Sequence, residues 1–329
     1  MAVTICWISF LAGCSDSSNS DVTLPSVSQA FIVCEGNYGS GNSSLSILDS
    51  IETDTTFNNV FATVNGRKLG DHAHSMLVVG SVGFITVTNS DKIEIIDTHT
   101  FESIETIGGI SSPRNIITWS DKLLITSNSD SSLVSLSFAT RTPDFRVKLT
   151  HRPDEIVVLN NKAYISNSPN MNDSVITVLD LETLQSDTIM LTKNPVSLAV
   201  DSAANRVYVA CSGSGSTGYI GVIDGATNVL IGKIGEFNNI KPVKVVLRDS
   251  LLAYISSSNG PIQVWNLNQS AVTTTISGNY HTLAFGGQEL FATDGLDFIS
   301  NGELVWFSVD YKIRRKFKVG RSPGGIRFN

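Results

Sequence analysis

The sequence predicts an all-β protein, a seven-bladed β-propeller with four-stranded blades whose ring is closed by N- and C-terminal strands sharing one blade. Three observations carry that expectation. A unit of about 40 to 45 residues recurs, opening near Leu69, Gly109, Thr150, Thr192, Asn239 and Ser277, and such a period is the signature of propeller blades. Each unit reads as short strands between turn residues, and no stretch shows convincing helical periodicity. The two chain ends carry complementary parts of one further unit.

The elements of a unit follow in order. A turn residue and a short apolar strand come first, as in Ser112-Pro-Arg-Asn-Ile116, Arg152-Pro-Asp-Glu-Ile156, Asn194-Pro-Val-Ser-Leu198 and Lys241-Pro-Val-Lys-Val245. A second strand places a bulky residue in a fixed column: Phe84, Leu124, Tyr164, Tyr208, Tyr254, Phe291. A third strand ends in a polar residue: Asp97, Ser137, Asp180, Asp224, Asn266, Ser308. The aspartates at this place, Asp49, Asp97, Asp180 and Asp224, recur in blade after blade, as a unique active site would not, so they are read as capping turns through side-chain-to-backbone hydrogen bonds. A fourth strand leads onward, as in Thr188-Ile-Met-Leu191. Ser322-Pro-Gly-Gly-Ile326 is a first strand with nothing after it, whereas Phe31-Ile-Val-Cys34 and Ser44-Leu-Ser-Ile-Leu-Asp49 lack a first strand before them. Joined, they complete the seventh blade.

Composition narrows the function. The 329 residues hold 30 acidic against 23 basic side chains, a net charge of −7, and no Lys/Arg cluster. The electrostatic footprint of a nucleic-acid binder is missing. Residues 1–13 read as a lipoprotein signal peptide: Ala2 to Ala12 is an apolar run too short to span a bilayer. It ends in Leu11-Ala-Gly-Cys14, which resembles the lipobox of bacterial lipoproteins, so Cys14 is the expected lipidation site and the membrane is met through a lipid anchor only. No Lys or Arg precedes the run, which leaves open a start further upstream. Residues 14–29 form a Ser-rich tether and residues 30–329 the propeller. Cys34 and Cys211 occupy one column three blades apart, beyond disulfide reach.

The unit Pro-x-x-Ile, Tyr-Ile/Val-x-Asn/Cys, Val-Leu/Ile-Asp-x-x-Thr resembles YVTN-type, YncE-like propellers and lacks the Gly-His and Trp-Asp pairs of WD-type blades. Three segments sharpen the resemblance: Cys34-Glu-Gly-Asn-Tyr-Gly-Ser-Gly-Asn-Ser-Ser-Leu-Ser46, Asn65-Gly-Arg-Lys-Leu-Gly-Asp-His-Ala-His-Ser-Met76 and Asn89-Ser-Asp-Lys-Ile-Glu-Ile-Ile-Asp97. With Ser112-Pro-Arg-Asn115 they are similar to the BtuG-like surface lipoproteins. That resemblance implies a non-enzymatic, cell-surface protein of the outer membrane. It would capture cobalamin or a related corrinoid and pass it to a TonB-dependent transporter, with no cofactor of its own.

A ligand is expected on the face formed by the loops between blades and those joining second to third strands. The residues proposed to bind it are Tyr38, His74, Arg114, His151, Arg152, Asn194, Phe237, Lys241, Tyr280, His281 and Arg321. His72, Glu35, Asn37 and Phe298 share the face. His74 and His281 are read as replacing the proline that opens most other blades. Aromatic rings supply flat apolar area, while Asn, Arg and His supply donors for amide arms and a phosphate. Two alternatives stay open: a propeller lyase or hydrolase with a His-bound metal, although spacing places no carboxylate beside the histidines, and a module recognising a protein or glycan. Gly213-Ser-Gly-Ser-Thr-Gly218 matches a dinucleotide fingerprint only by letters, since a strand and not a helix follows it.

Overall fold

The computed structural model describes residues 29–49, 55–167, 173–192, 194–214, 217–235 and 240–329. Cys14, the signal segment, nearly all of the tether and Phe237 lie outside the described residues, as do Asn170, Met171, Lys193, Asn238 and Asn239. Seven four-stranded antiparallel sheets stand in a ring, a seven-bladed β-propeller. The split blade holds β1 (Ala30–Cys34), β2 (Ser44–Leu48), β3 (Thr56–Phe57) and, paired onto β1, the last strand β28 (Pro323–Phe328). Ring closure is therefore by the two chain ends, with Ile32 opposite Ile326.

The innermost strands of the other blades are β4 (Ala73–Val79), β8 (Pro113–Trp119), β12 (Pro153–Leu159), β16 (Pro195–Asp201), β20 (Lys244–Arg248) and β24 (Thr282–Gly286). With β28 they line the channel, each against its neighbours around the ring. Proline starts four of these seven strands, a place where its missing N–H removes no ladder bond. The second strands, such as β5 (Val82–Val87) and β13 (Lys162–Asn167), are buried on both faces because each sheet packs between two others. Their bulky column holds the packing: Phe84, Leu124, Tyr164, Tyr208, Tyr254 and Phe291 are all fully buried. The outermost strand β27 (Ile313–Arg321) exposes a basic run, Arg314-Arg-Lys316, that discourages edge-to-edge pairing. The polar column caps turns: the Asp97, Asp180 and Asp224 carboxylates each accept two backbone N–H bonds from the residues two and three places on. Asn266 repeats the pattern.

The fold departs from expectation at one segment. α1 (Val60–Asn65) is a short helix joining the split blade to β4, where no helix was expected. Its six residues are too few for a 3.6-residue period to register. It forms because Val60 and Phe61 bury against Leu45 and Ile47, and Gly66 closes it in the left-handed conformation at φ 62°.

A further feature sets the site. In five innermost strands the register slips by one residue straight after the opening position. In β4, Ala73 pairs with Val87 but Ser75 with Thr86, so His74 is the extra residue. Arg114 in β8, Asp154 in β12, Val196 in β16 and Gly324 in β28 hold the corresponding place. Thr282 pairs with Thr293 as Ser75 pairs with Thr86, which aligns His281 with His74. The two histidines thus do not stand in for the proline, as the sequence suggested. Ala73 takes the proline's place and His74 follows it at a bulge that turns the side chain inward, while His281 holds the matching position just ahead of β24.

Candidate functional site

Hydroxyl groups hold the bulges of β4, β8 and β12. The Thr126 Oγ1 accepts the Asn115 N–H at 2.9 Å and donates to the Asp154 carbonyl of the next blade at 2.7 Å. Thr86 does the same for Ser75 (3.0 Å) and Arg114 (2.8 Å), and Ser166 for Glu155 (3.0 Å) and Val196 (3.3 Å). Each hydroxyl satisfies an N–H freed by its own blade's bulge and a carbonyl turned out by its neighbour's. Buried backbone groups are left paired, and the bulge positions from β4 to β16 are fixed to one another.

Their side chains meet at the mouth of a channel cavity of about 620 Å³. His74 lies between two carboxylates: its Nδ1 is 3.1 Å from Glu35 Oε1 and its Nε2 3.9 Å from Asp154 Oδ1. Arg114 grips Asp154 with Nε at 2.7 Å and Nη2 at 3.5 Å, and its Nη1 is 3.4 Å from His72 Nε2. The His72 and His74 rings stack with centroids 6.2 Å apart. His281 packs edge-on to Phe298 at 5.1 Å. Below this tier Lys244 pairs with Glu155, whose other oxygen accepts the Leu198 N–H at 3.0 Å. Deeper still, Arg327 lies among Ile117, Val157, Val246 and Ala284 and donates to the Met76 carbonyl at 2.7 Å.

The electrostatics follow from burial and pairing. Burial alone would raise the Glu35 carboxyl, but the His74 hydrogen bond and the surrounding imidazoles bring it down to about 2. Burial pushes His72 and His281 below the usual imidazole range. Burial opposes ionisation of Asp154 too, yet the Arg114 charge holds its carboxyl low. Desolvation of Arg114 is likewise outweighed by Asp154, which leaves the guanidinium firmly charged. Burial lowers Arg327.

Three of the eleven expected site residues, His74, Arg114 and His281, line this cavity. Tyr38 stands on the rim, 79% exposed, edge-on to His72 with ring centroids 6.0 Å apart. His151 pairs with Asp173 at 3.0 Å, Arg152 donates to the Asn128 carbonyl at 3.3 Å and Arg321 donates to Asn37 at 3.0 Å, all outside the cavity. Lys241 is exposed and its N–H serves the Ser256 carbonyl. Lys244, three residues on, is the lysine that reaches the channel. Asn194 is a turn residue at φ 58°. Tyr280 is buried against Phe307 with its hydroxyl on the Ser277 carbonyl, so its ring packs the blade interior. Asp154, Glu155, Lys244 and Arg327 escaped the sequence reading. The first two were legible as the residues after Pro153, in the columns that Arg114 and Asn115 occupy after Pro113.

Fold and site together define a seven-bladed propeller with a rigid, ionisable channel mouth. No family model matches this chain and no curated protein is similar to it. Solved structures share the fold. A functionally unknown protein from Desulfotomaculum acetoxidans DSM 771 superposes with a TM-score of 0.73 at 15% identity, covering 91% of this chain and 98% of that one. Apo AztD from Citrobacter koseri gives 0.58 at 13% identity over 91% and 96% of the two chains. Kuenenia stuttgartiensis hydrazine synthase gives 0.62 at 12% identity over 77% and 88%. At these identities the likeness is one of fold.

Proposed function

We propose that this protein captures a large amphipathic ligand, cobalamin or a related corrinoid, at the channel mouth. It would be anchored through Cys14 at the outer-membrane surface and release its ligand, chemically unchanged, to a TonB-dependent transporter. The observation that supports capture is the convergence of His74, Arg114, Asp154 and His281 from four blades on one cavity of about 620 Å³, within the range of small-molecule sites. Bulges and hydroxyl clamps hold His74, Arg114 and Asp154 before a ligand arrives, which lowers the ordering cost of binding. The corrinoid class comes from the resemblance of the segments around Glu35, His72 and Ser112. Side arms of such a ligand would enter the cavity while its flat face rests on rim groups such as Tyr38 and Phe298.

Calorimetric titration of the purified protein with cyanocobalamin tests this. Saturable one-to-one binding, weakened at least tenfold by Tyr38→Ala with His281→Ala, supports the reading. An absence of binding heat and of any thermal shift sinks the corrinoid. The alternative, a metal-dependent lyase or hydrolase, requires a cation held at the same mouth.

A further inference from the structure

We infer that Glu35, His72 and His74 form a binding site for one divalent first-row metal ion, zinc being the ion this donor set suits best. One ligand atom from each residue lies within 4.8 Å of those of the other two. Two imidazoles and a carboxylate form the three-protein-ligand set of open zinc sites, in which a fourth position is left for water or a ligand. Nitrogen donors also favour zinc, copper, nickel or iron over calcium and magnesium, which take oxygen. A side-chain adjustment of an ångström or so brings the three donors to about 2.0–2.2 Å from a common ion.

The surroundings add to the assignment. The His72 Nδ1 is buried and has no hydrogen-bond partner, an unmet polar atom beside the cluster. Asp154 lies 3.9 Å from the His74 Nε2, on the far side of the ring from Glu35. A closer approach of about 1 Å would give the carboxylate–histidine–metal arrangement in which an outer carboxylate orients the ring. Arg114 is close, but its charge is already matched by Asp154. The backbone under the site is pinned: the Glu35 N–H donates to the Ser322 carbonyl at 2.9 Å and the His72 carbonyl accepts the Thr88 N–H at 2.9 Å. Gly324 keeps the cradle open, since a Cβ there would lie 2.7 Å from Glu35 Oε1.

The site goes beyond the capture reading and does not depend on it. The test is calorimetry of chelator-treated, purified protein with ZnCl2, paired with the visible absorption of CoCl2 as a geometry probe, no corrinoid being present. The expected result is one ion per chain. Glu35→Gln and His72→Asn should each weaken it by about 100-fold or more, and Asp154→Asn by about tenfold, as for an outer-shell partner. His151→Ala removes a histidine that also pairs with a carboxylate on this face, and should leave binding unchanged. Circular dichroism of the metal-free variants verifies that they fold. The inference is overturned by the lack of stoichiometric binding, or by binding that Glu35→Gln and His72→Asn both leave intact. Protein that binds cyanocobalamin but not zinc refutes this site alone, and the converse refutes corrinoid capture alone.

Discussion

The Arg114 Nε donates to Asp154 Oδ1 at 2.7 Å, joining the bulge positions of two consecutive blades across the channel wall. Both side chains are largely withdrawn from solvent. Arg114→Ala would leave the Asp154 carboxylate without its counter-charge, and breaking such a pair costs about 2–4 kcal/mol where some channel water remains. Denaturant unfolding should show that loss. The double variant Arg114→Met with Asp154→Leu should recover more than half of it, since neither charge is then stranded.

The hydroxyl clamp makes a separate prediction. Thr126→Val keeps shape and volume but abandons the Asn115 N–H and the Asp154 carbonyl. Two buried backbone groups left unpaired cost about 2–4 kcal/mol together. Thr118→Val, on the same blade but outside the clamp, should change stability by less than about 0.5 kcal/mol. Equal effects of the two substitutions in thermal unfolding would count against the clamp.

Acid stability should report Glu94. This carboxylate lies on β6 (Lys92–Asp97), its side chain fully buried, and takes hydrogen bonds from Arg67 at 2.6 and 3.1 Å, Lys92 at 2.8 Å and Ser103 at 2.6 Å. Burial opposes its ionisation, but the Arg67 and Lys92 bonds hold its carboxyl below the usual range. A depressed folded pKa contributes stability that is present above the ordinary value of 4.5 and disappears as pH falls below it. Unfolding free energy should therefore decline from about pH 5 downward. Glu94→Gln should lower stability at pH 7 and flatten that decline.

At the other end of the scale, burial raises the Cys34 thiol to about 11 and the Cys211 thiol to about 12. Both cysteines are free and fully buried. Native protein starting after Cys14 should not react with a thiol-specific disulfide reagent at pH 8, whereas the same protein unfolded should expose both thiols. Because the folded values are raised, the associated stability is intact below the ordinary thiol value of 9.0 and is lost as pH climbs through 11 and 12. A pH titration of the melting temperature reads this directly.

Much of this architecture is local and therefore legible in the chain. Strand alternation, proline at the opening of the innermost strands, the Tyr/Phe column and the turn-capping Asp column repeat every blade. Each follows from interactions within a few residues or between adjacent strands, so their recurrence alone establishes a propeller and the way its ends close the ring. The face that carries the site was legible for the same reason: loops of one kind emerge on one side. The helix at Val60–Asn65 was not, because tertiary burial of Phe61 and not periodicity stabilises it.

The make-up of the site was settled only by the ring. A single extra residue reverses which side of a strand a side chain takes, so the bulges decided that His74, Arg114 and Asp154 face the channel, and His281 joins them from the position just ahead of β24. Tyr280, next to His281, instead packs into the blade. Glu35 reaches His74 because strands from opposite ends of the chain share one blade, which sets the loop after β1 beside the start of β4. Spacing along the chain carries no record of that proximity. Sequence determined the repeat and its closure, since these rest on short-range pattern, and tertiary structure decided which charges meet, since that depends on register and on how the ring shuts.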